Sequence, residues 1–99
     1  MIKIPVLGVP FEIQYVNKIN EEDDSYGECD GPAHKIKIKK SLTNEQKRLT
    51  VFHEILHAAL YISGQSELLT EQQEEAIVVA LENGLSQLYN LKEEYAHKS

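Results

Sequence analysis

Apolar and polar positions alternate near the start of the chain with the two-residue period of a β-strand. The alternation has two parts, residues 2–4 and 11–15, and Gly8 and Pro10 lie between them. Glycine and proline at such a position are typical of a turn. We therefore predict a hairpin over residues 2–16 with one buried face. Its apolar members are Ile2, Ile4, Phe11, Ile13 and Tyr15.

A second hairpin is predicted between residues 26 and 39. Tyr26–Cys29 and Lys35–Lys39 flank Asp30, Gly31 and Pro32, which together are a strong turn signal. The polar and acidic stretch before this hairpin, residues 17–25, is predicted to be a solvated loop. The two hairpins together predict a small antiparallel sheet of three or four strands.

After Ser41 the apolar positions recur at helical spacing. Thr43 and Gln46 form the pattern of a capping box, and Ser63 followed by Gly64 is suited to the end of a helix. The predicted helix is apolar on two sides, so we expect it to lie between the sheet and a second helix. One side carries Leu49, Phe52, Leu56, Ala59 and Leu60, and the other carries Val51, Ile55, Ala58 and Ile62.

A second long helix is predicted from about residue 71 to about residue 95. Thr70 and Gln73 repeat the capping pattern, although Gly84 weakens the middle of the helix. The chain is thus expected to be a single α+β domain over residues 1–99, with a small antiparallel sheet packed on two long antiparallel helices. The apolar stripe of the second helix is predicted to contain Ile77, Val78, Leu81, Leu85 and Leu88.

Charge and composition narrow the class of partner. The formal net charge is −6, whereas nucleic-acid binding draws most of its affinity from cationic side chains. The lysines between residues 35 and 40 are interpreted as the solvated face of a strand. Cys29 is the only cysteine, and no apolar run is as long as a membrane span. Because Met1–Pro5 also lacks the pattern of a secretory signal, we expect a cytoplasmic protein without nucleic-acid or membrane partners.

The motif that carries chemistry is His53-Glu54-Ile55-Leu56-His57, in the middle of the first predicted helix. Residues four apart lie one above the other on the same face, so the two imidazoles can face one point. Zinc binds neutral imidazole nitrogens at about 2.0–2.1 Å, so this spacing provides half of a tetrahedral site. Glu54 projects about 100° away from His53, where it is placed to act as a general base. The alternative is that both histidines only line the edge of the core, but buried imidazoles need hydrogen-bond partners.

A catalytic zinc site needs a third protein ligand. Glu74 and Glu75 are the candidates, because His57 lies about 10 Å before Gly64 and Glu75 about 7 Å beyond Thr70 along their helices. An antiparallel pair of helices would bring them to similar heights. The alternative for both glutamates is an acidic first turn that complements the helix dipole. Glu74 lies on the predicted apolar stripe and Glu75 about 100° away, which leaves the choice between them open.

The two motifs together resemble those of a known family. His53-Glu54-x-x-His57, followed by a stretch that begins with Glu75-Ala76, is similar to the small zincin-type metallopeptidases of the ImmA/IrrE kind. Those proteins are often encoded by phages and mobile elements. The second motif departs from the family pattern, because isoleucine and valine stand at positions 77 and 79 in place of asparagine and phenylalanine.

The resemblance extends upstream of the motif. Tyr26–Asp30 and Ile36–Ile38 are similar to the strand pair that leads into the active helix of the family, so the likeness covers about residues 26–89. It implies a minimal zincin-like fold and a zinc-dependent metallopeptidase. Carried over by position, it implies His53, His57 and Glu75 as zinc ligands and Glu54 as the general base.

The expected reaction is hydrolysis of a peptide bond in a protein or peptide substrate, such as a phage or host regulator. An extended substrate would pair with an exposed sheet edge above the zinc helix. The group that assists zinc in stabilising the oxyanion stays open among Tyr26, His34, Tyr61 and Tyr89. The alternative function is a non-catalytic interaction protein, in which His34 would be the fourth ligand of a structural zinc. The oligomeric state stays open, with apolar Leu85, Tyr89 and Leu91 available either for a dimer or for the core.

Overall fold

The computed structural model describes the backbone of residues 2–98 and the side chains of residues 2–85. It has an α+β fold, as the sequence predicts, with four strands followed by two helices. The elements are β1 (Ile2–Val6), β2 (Val9–Val16), β3 (Gly27–Asp30), β4 (Lys35–Lys39), α1 (Asn44–Ile62), a short 3₁₀ helix (Gln65–Leu68) and α2 (Glu71–Lys98).

Both predicted hairpins are confirmed. In the first, Leu7 and Gly8 have φ angles of 49° and 83°, so both central residues of a two-residue turn are left-handed. This is the backbone that a type I′ hairpin turn requires, and glycine adopts it without steric cost. In the second hairpin β3 pairs antiparallel with β4, and the Asp30 side chain accepts a hydrogen bond from the backbone N–H of Ala33 within the turn.

The prediction of a purely antiparallel sheet is wrong, because the sheet is mixed. The strand order is β1-β2-β4-β3, and β2 pairs with β4 in parallel, with Ile13 opposite Ile36. The two hairpins therefore meet through β4 rather than β3. Ile36 and Ile38 of β4 are fully buried. Their burial favours an interior position for β4 in the sheet, and β3 lies at an edge.

The core lies between one face of the sheet and α1. Ala58 of α1 is fully buried against the sheet. Val51, Ile55 and Ile62 of α1 pack on this cluster. They belong to one of the two apolar sides that the sequence predicts for this helix. The buried members of the cluster are Val6, Phe11, Ile13, Ile36, Ile38 and Ala58.

Local signals fix the two ends of α1. The Thr43 hydroxyl accepts a hydrogen bond from the Gln46 backbone N–H, and the Gln46 side chain accepts one from the Thr43 N–H, which completes the predicted capping box. At the other end Gly64 has a φ of 82°, the left-handed conformation expected of it. The chain then reverses through the 3₁₀ helix into α2.

Among the residues described, no helix combines the length and the apolar character needed to cross a lipid bilayer.

The apolar stripe predicted for α2 is wrong in most of its members. Val78 is fully buried, but Ile77, Leu81 and Leu85 are all exposed, and Leu88 lies outside the described side chains. The face that α2 turns towards α1 instead carries residues 74, 78 and 82, spaced four apart. Two of these three residues are glutamates, and they contact the histidines of α1 rather than an apolar surface.

Candidate metal centre

The middle of α1 presents the two motif histidines side by side. His53 and His57 are one turn apart, and their ring centroids are separated by 5.1 Å at an angle of 60°. Both side chains are mostly buried between α1 and α2. The i, i+4 spacing in the sequence therefore brings both rings to one place, as predicted.

Glu75 of α2 lies across from both rings. One carboxylate oxygen is 3.1 Å from Nε2 of His53, and the other is 3.0 Å from Nε2 of His57. Ligand atoms of these three residues all lie within 4.8 Å of one another. Glu75 keeps 53% of its side-chain surface exposed, so the group opens towards solvent on the side of this carboxylate.

This group could hold a metal ion. Donor atoms that lie about 2.0–2.1 Å from one tetrahedral ion are roughly 3.4 Å apart, close to the two separations measured between Glu75 and the imidazoles. Two imidazole nitrogens and one carboxylate also form a set that suits zinc. Among the side chains of residues 2–85, no fourth histidine, cysteine or carboxylate joins the group.

Glu74 lies behind His57 rather than in front of it. Its carboxylate is 2.6 Å from Nδ1 of His57, on the opposite side of the ring from Glu75. Burial raises the pKa of Glu74, but hydrogen bonds from Ser66 and His57 outweigh it and lower the pKa below the usual range. Of the two glutamates left open by the sequence, Glu75 therefore faces both Nε2 atoms, and Glu74 binds the other nitrogen of one ring.

Glu82 makes the equivalent contact with the second histidine, a contact that was not predicted from the sequence. Its carboxylate is 2.9 Å from Nδ1 of His53. Burial opposes the charged form of His53, but this hydrogen bond and the negative charges of Glu54, Glu75 and Glu82 raise its pKa overall. The signal in the sequence was the spacing of Glu82 from Glu75, because residues seven apart lie on nearly the same face of a helix.

Glu54 is the most deeply buried charged residue at the site. Its side chain is on the sheet side of α1, and only 6% of the residue is exposed. Burial raises the pKa of its carboxyl group, although the neighbouring His57 and His53 act in the opposite direction. Gly27 of β3 is so close that a Cβ atom there would be 3.2 Å from the Glu54 carboxylate.

Two cavities meet at this carboxylate, and both are also lined by His57. The larger has a volume of about 520 Å³, and the smaller about 310 Å³. The larger also contains Tyr26, Gly27, Thr50, His53, Glu75 and Glu82. The smaller also contains Cys29, Gly31, Tyr61, Ser66 and Glu74.

The other residues singled out in the sequence are distributed around these cavities or away from them. His34, whose ring contacts Phe11 with centroids 5.2 Å apart, does not belong to the metal-binding group. Cys29 is half-buried in the smaller cavity, where burial, followed by the charge of Glu54, raises the pKa of its thiol to about 12. Tyr26 and Tyr61 line different cavities, and the side chain of Tyr89 lies outside the described residues.

The chain was compared with protein family models, curated proteins and solved structures. No protein family model, no curated protein and no solved structure matches this chain.

Proposed function

We propose that this chain is a zinc-dependent metallopeptidase of the ImmA/IrrE kind, with His53, His57 and Glu75 as zinc ligands and Glu54 as the general base. The observation that carries the proposal is the position of Glu54, which is buried next to both histidines where two cavities meet. A set of two histidines and one glutamate that leaves a coordination position open is typical of catalytic zinc. When bound, zinc would polarise the scissile carbonyl and lower the pKa of the attacking water.

Glu54 would take the proton from the attacking water and then deliver it to the leaving amine. Its burial makes proton uptake easier, because the neutral carboxyl group is favoured in surroundings that contain little water. The carboxylate is not a member of the metal-binding group, so it remains free for this transfer. A general base must lie within reach of the reacting water, and Glu54 lines both cavities from which a substrate carbonyl could approach.

The substrate we propose is an extended segment of a protein or peptide, such as a phage or host regulator. Among the described strands β3 pairs with β4 alone, so it lies at an edge of the sheet. A peptide in extended conformation can add to such an edge. Gly27 of this strand lines the larger cavity together with Glu54, so a peptide along β3 would pass over the candidate metal centre. We also propose a cytoplasmic setting, on the basis of the single cysteine.

The competing function is a structural zinc in an interaction protein. A structural site usually has four protein ligands, and the described group has three. His34, the fourth ligand expected under that hypothesis, contacts Phe11 instead. The half-exposed Glu75 also favours a centre that is open to substrate.

The decisive experiment compares the zinc-loaded parent with Glu54→Gln on a random-sequence peptide library, with cleavage measured by mass spectrometry. Both proteins are expected to hold about one zinc per chain by elemental analysis, and only the parent is expected to cleave. Glu45→Gln is the matched control, because it removes the same charge from an exposed position on the same helix. Cleavage by Glu54→Gln at the rate of the parent would show that Glu54 is not the base. A zinc-loaded parent that cleaves no peptide would favour the interaction protein.

A further inference from the structure

The face of α2 that packs against α1 is unusual in composition. Helix faces packed on a neighbour are normally apolar, but here Glu74 and Glu82 flank Val78 at intervals of four residues. Their side chains are only 20% and 23% exposed, whereas the neighbouring Glu75 is 53% exposed. Two carboxylates have thus been withdrawn from water at a cost that their contacts must offset.

Those contacts are with histidines. Glu74 bonds Nδ1 of His57 at 2.6 Å, and Glu82 bonds Nδ1 of His53 at 2.9 Å. Within the described residues, neither carboxylate forms an ion pair with a lysine or an arginine. The helix dipole cannot account for both, because Glu82 lies about three turns into α2, far from its N-terminus.

We propose that Glu74 and Glu82 are positioning residues, which accept the Nδ1–H of His57 and His53 and so aim both Nε2 lone pairs at one metal ion. An ionised carboxylate only accepts hydrogen bonds, so the imidazole nitrogen that faces it must carry the proton. In a neutral imidazole the other nitrogen is then the unprotonated one, and it is the nitrogen that faces Glu75. The proposal rests on the metal site proposed above but not on peptidase activity.

This arrangement makes α2 the source of the three carboxylates that contact the imidazole nitrogens. Glu75 would contact the ion directly, and the two positioning residues would hold the rings from behind. Carboxylates that orient metal-binding histidines in this way also increase the basicity of the imidazoles. Since the three glutamates lie on one continuous helix, their relative positions are fixed by helix geometry.

The test measures zinc affinity by competition with a chromophoric chelator in the parent, Glu74→Gln, Glu82→Gln and Glu71→Gln. Loss of an orienting partner typically weakens metal binding 10- to 100-fold, so we expect a decrease in that range for the first two variants. Glu71→Gln is the matched control. It removes the same charge from the same helix, and Glu71 forms no hydrogen bond with either histidine among the described side chains.

A second readout separates positioning from a general loss of stability. Imidazole ¹H–¹⁵N spectra of the zinc-loaded proteins report which ring nitrogen carries a proton and how fast that proton exchanges with water. We expect Glu82→Gln to speed exchange of the His53 Nδ1–H alone, and Glu74→Gln to speed that of His57 alone. If a glutamine variant fails to fold, the spectrum of the zinc-loaded parent still tests the proposal. A proton on Nε2 of either histidine would overturn it.

The outcomes distinguish this proposal from the proposed function. A parent that binds no zinc would refute the metal site itself. A parent that binds zinc, with Glu74→Gln and Glu82→Gln matching the Glu71→Gln control in affinity and exchange, would refute the positioning roles and leave the site intact. Loss of peptide cleavage without loss of zinc affinity would also count against positioning at the metal.

Discussion

Replacing Gly27 with alanine tests how closely β3 is packed against α1. A Cβ atom at this position would lie 2.6 Å from Cγ2 of Thr50, and 3.2 Å from both the Glu54 carboxylate and the Lys37 carbonyl oxygen. Carbon atoms in contact are normally about 3.5–4.0 Å apart, so the Thr50 contact is too short by about 1 Å. Small shifts relieve the other two contacts, but the methyl group of Thr50 is held, because its hydroxyl donates to the Gln46 carbonyl oxygen.

The expected change in the free energy of unfolding of Gly27→Ala is the difference between two effects. Inserting a methyl group into a packed site costs about 1–3 kcal/mol, whereas glycine to alanine without a clash gains about 0.4–1 kcal/mol through the unfolded state. We therefore expect Gly27→Ala to lower the free energy of unfolding by about 1–2 kcal/mol in urea denaturation. Gly84→Ala is the control, because a Cβ there meets nothing within 4 Å, and it should stabilise the protein instead.

A double-mutant cycle with Thr50→Ser then tests the stated cause. Serine keeps the hydroxyl that bonds Gln46 and removes the methyl group that clashes. Thr50→Ser alone should cost about 0.8 kcal/mol for the lost methyl group, but the pair should show a favourable coupling of about 1 kcal/mol or more with Gly27→Ala. Stability of Gly27→Ala equal to that of the parent, or a coupling near zero, would refute the close packing of β3 on α1.

Four further predictions concern the cap, the thiol and the metal. Thr43→Ala removes the hydroxyl that accepts the Gln46 N–H and should cost about 1 kcal/mol in urea denaturation, while Thr43→Ser should restore most of it. The pKa of the Cys29 thiol is raised to about 12, so at pH 9 the folded protein should be alkylated by iodoacetamide far more slowly than the urea-unfolded chain. The same shift predicts that stability falls as the pH rises above the pKa of an unfolded thiol, and Cys29→Ala should remove this slope. Chelation should leave the far-ultraviolet circular dichroism unchanged, because the buried cluster around Phe11 and Ile36 contains no candidate ligand; unfolding on chelation would instead indicate a structural metal.

Much of the local structure could be predicted from the sequence because it depends on neighbouring residues alone. The turn at Gly8, the capping box of Thr43 and Gln46, and the left-handed Gly64 each follow from the chemistry of a few adjacent residues. The spacing of His53 and His57 belongs to the same class, since helix geometry sets the relation between residues four apart. These features are confirmed by the structure for that reason.

The arrangement of the sheet could not be predicted in this way. Each hairpin fixes the pairing of its own two strands, but neither hairpin determines which of its strands pairs with the other hairpin. Ile36 and Ile38 decide it, because both are fully buried only when β4 lies inside the sheet. The parallel contact between β2 and β4 is therefore a consequence of burial across the whole core.

The sequence determined the elements of the candidate site, and the tertiary structure decided which imidazole nitrogen each glutamate of α2 contacts. Glu54 and the two histidines lie on one helix, so their relation was set before any packing. Glu74 and Glu75 lie on a different helix, and their contacts with the histidines depend on how α2 is rotated against α1. That rotation turns residues 74, 78 and 82 inwards, which brings Glu82 to His53 and leaves Ile77, Leu81 and Leu85 of the predicted apolar stripe exposed. A helical wheel describes one helix, whereas the contacts between two helices depend on the free energy of packing them together.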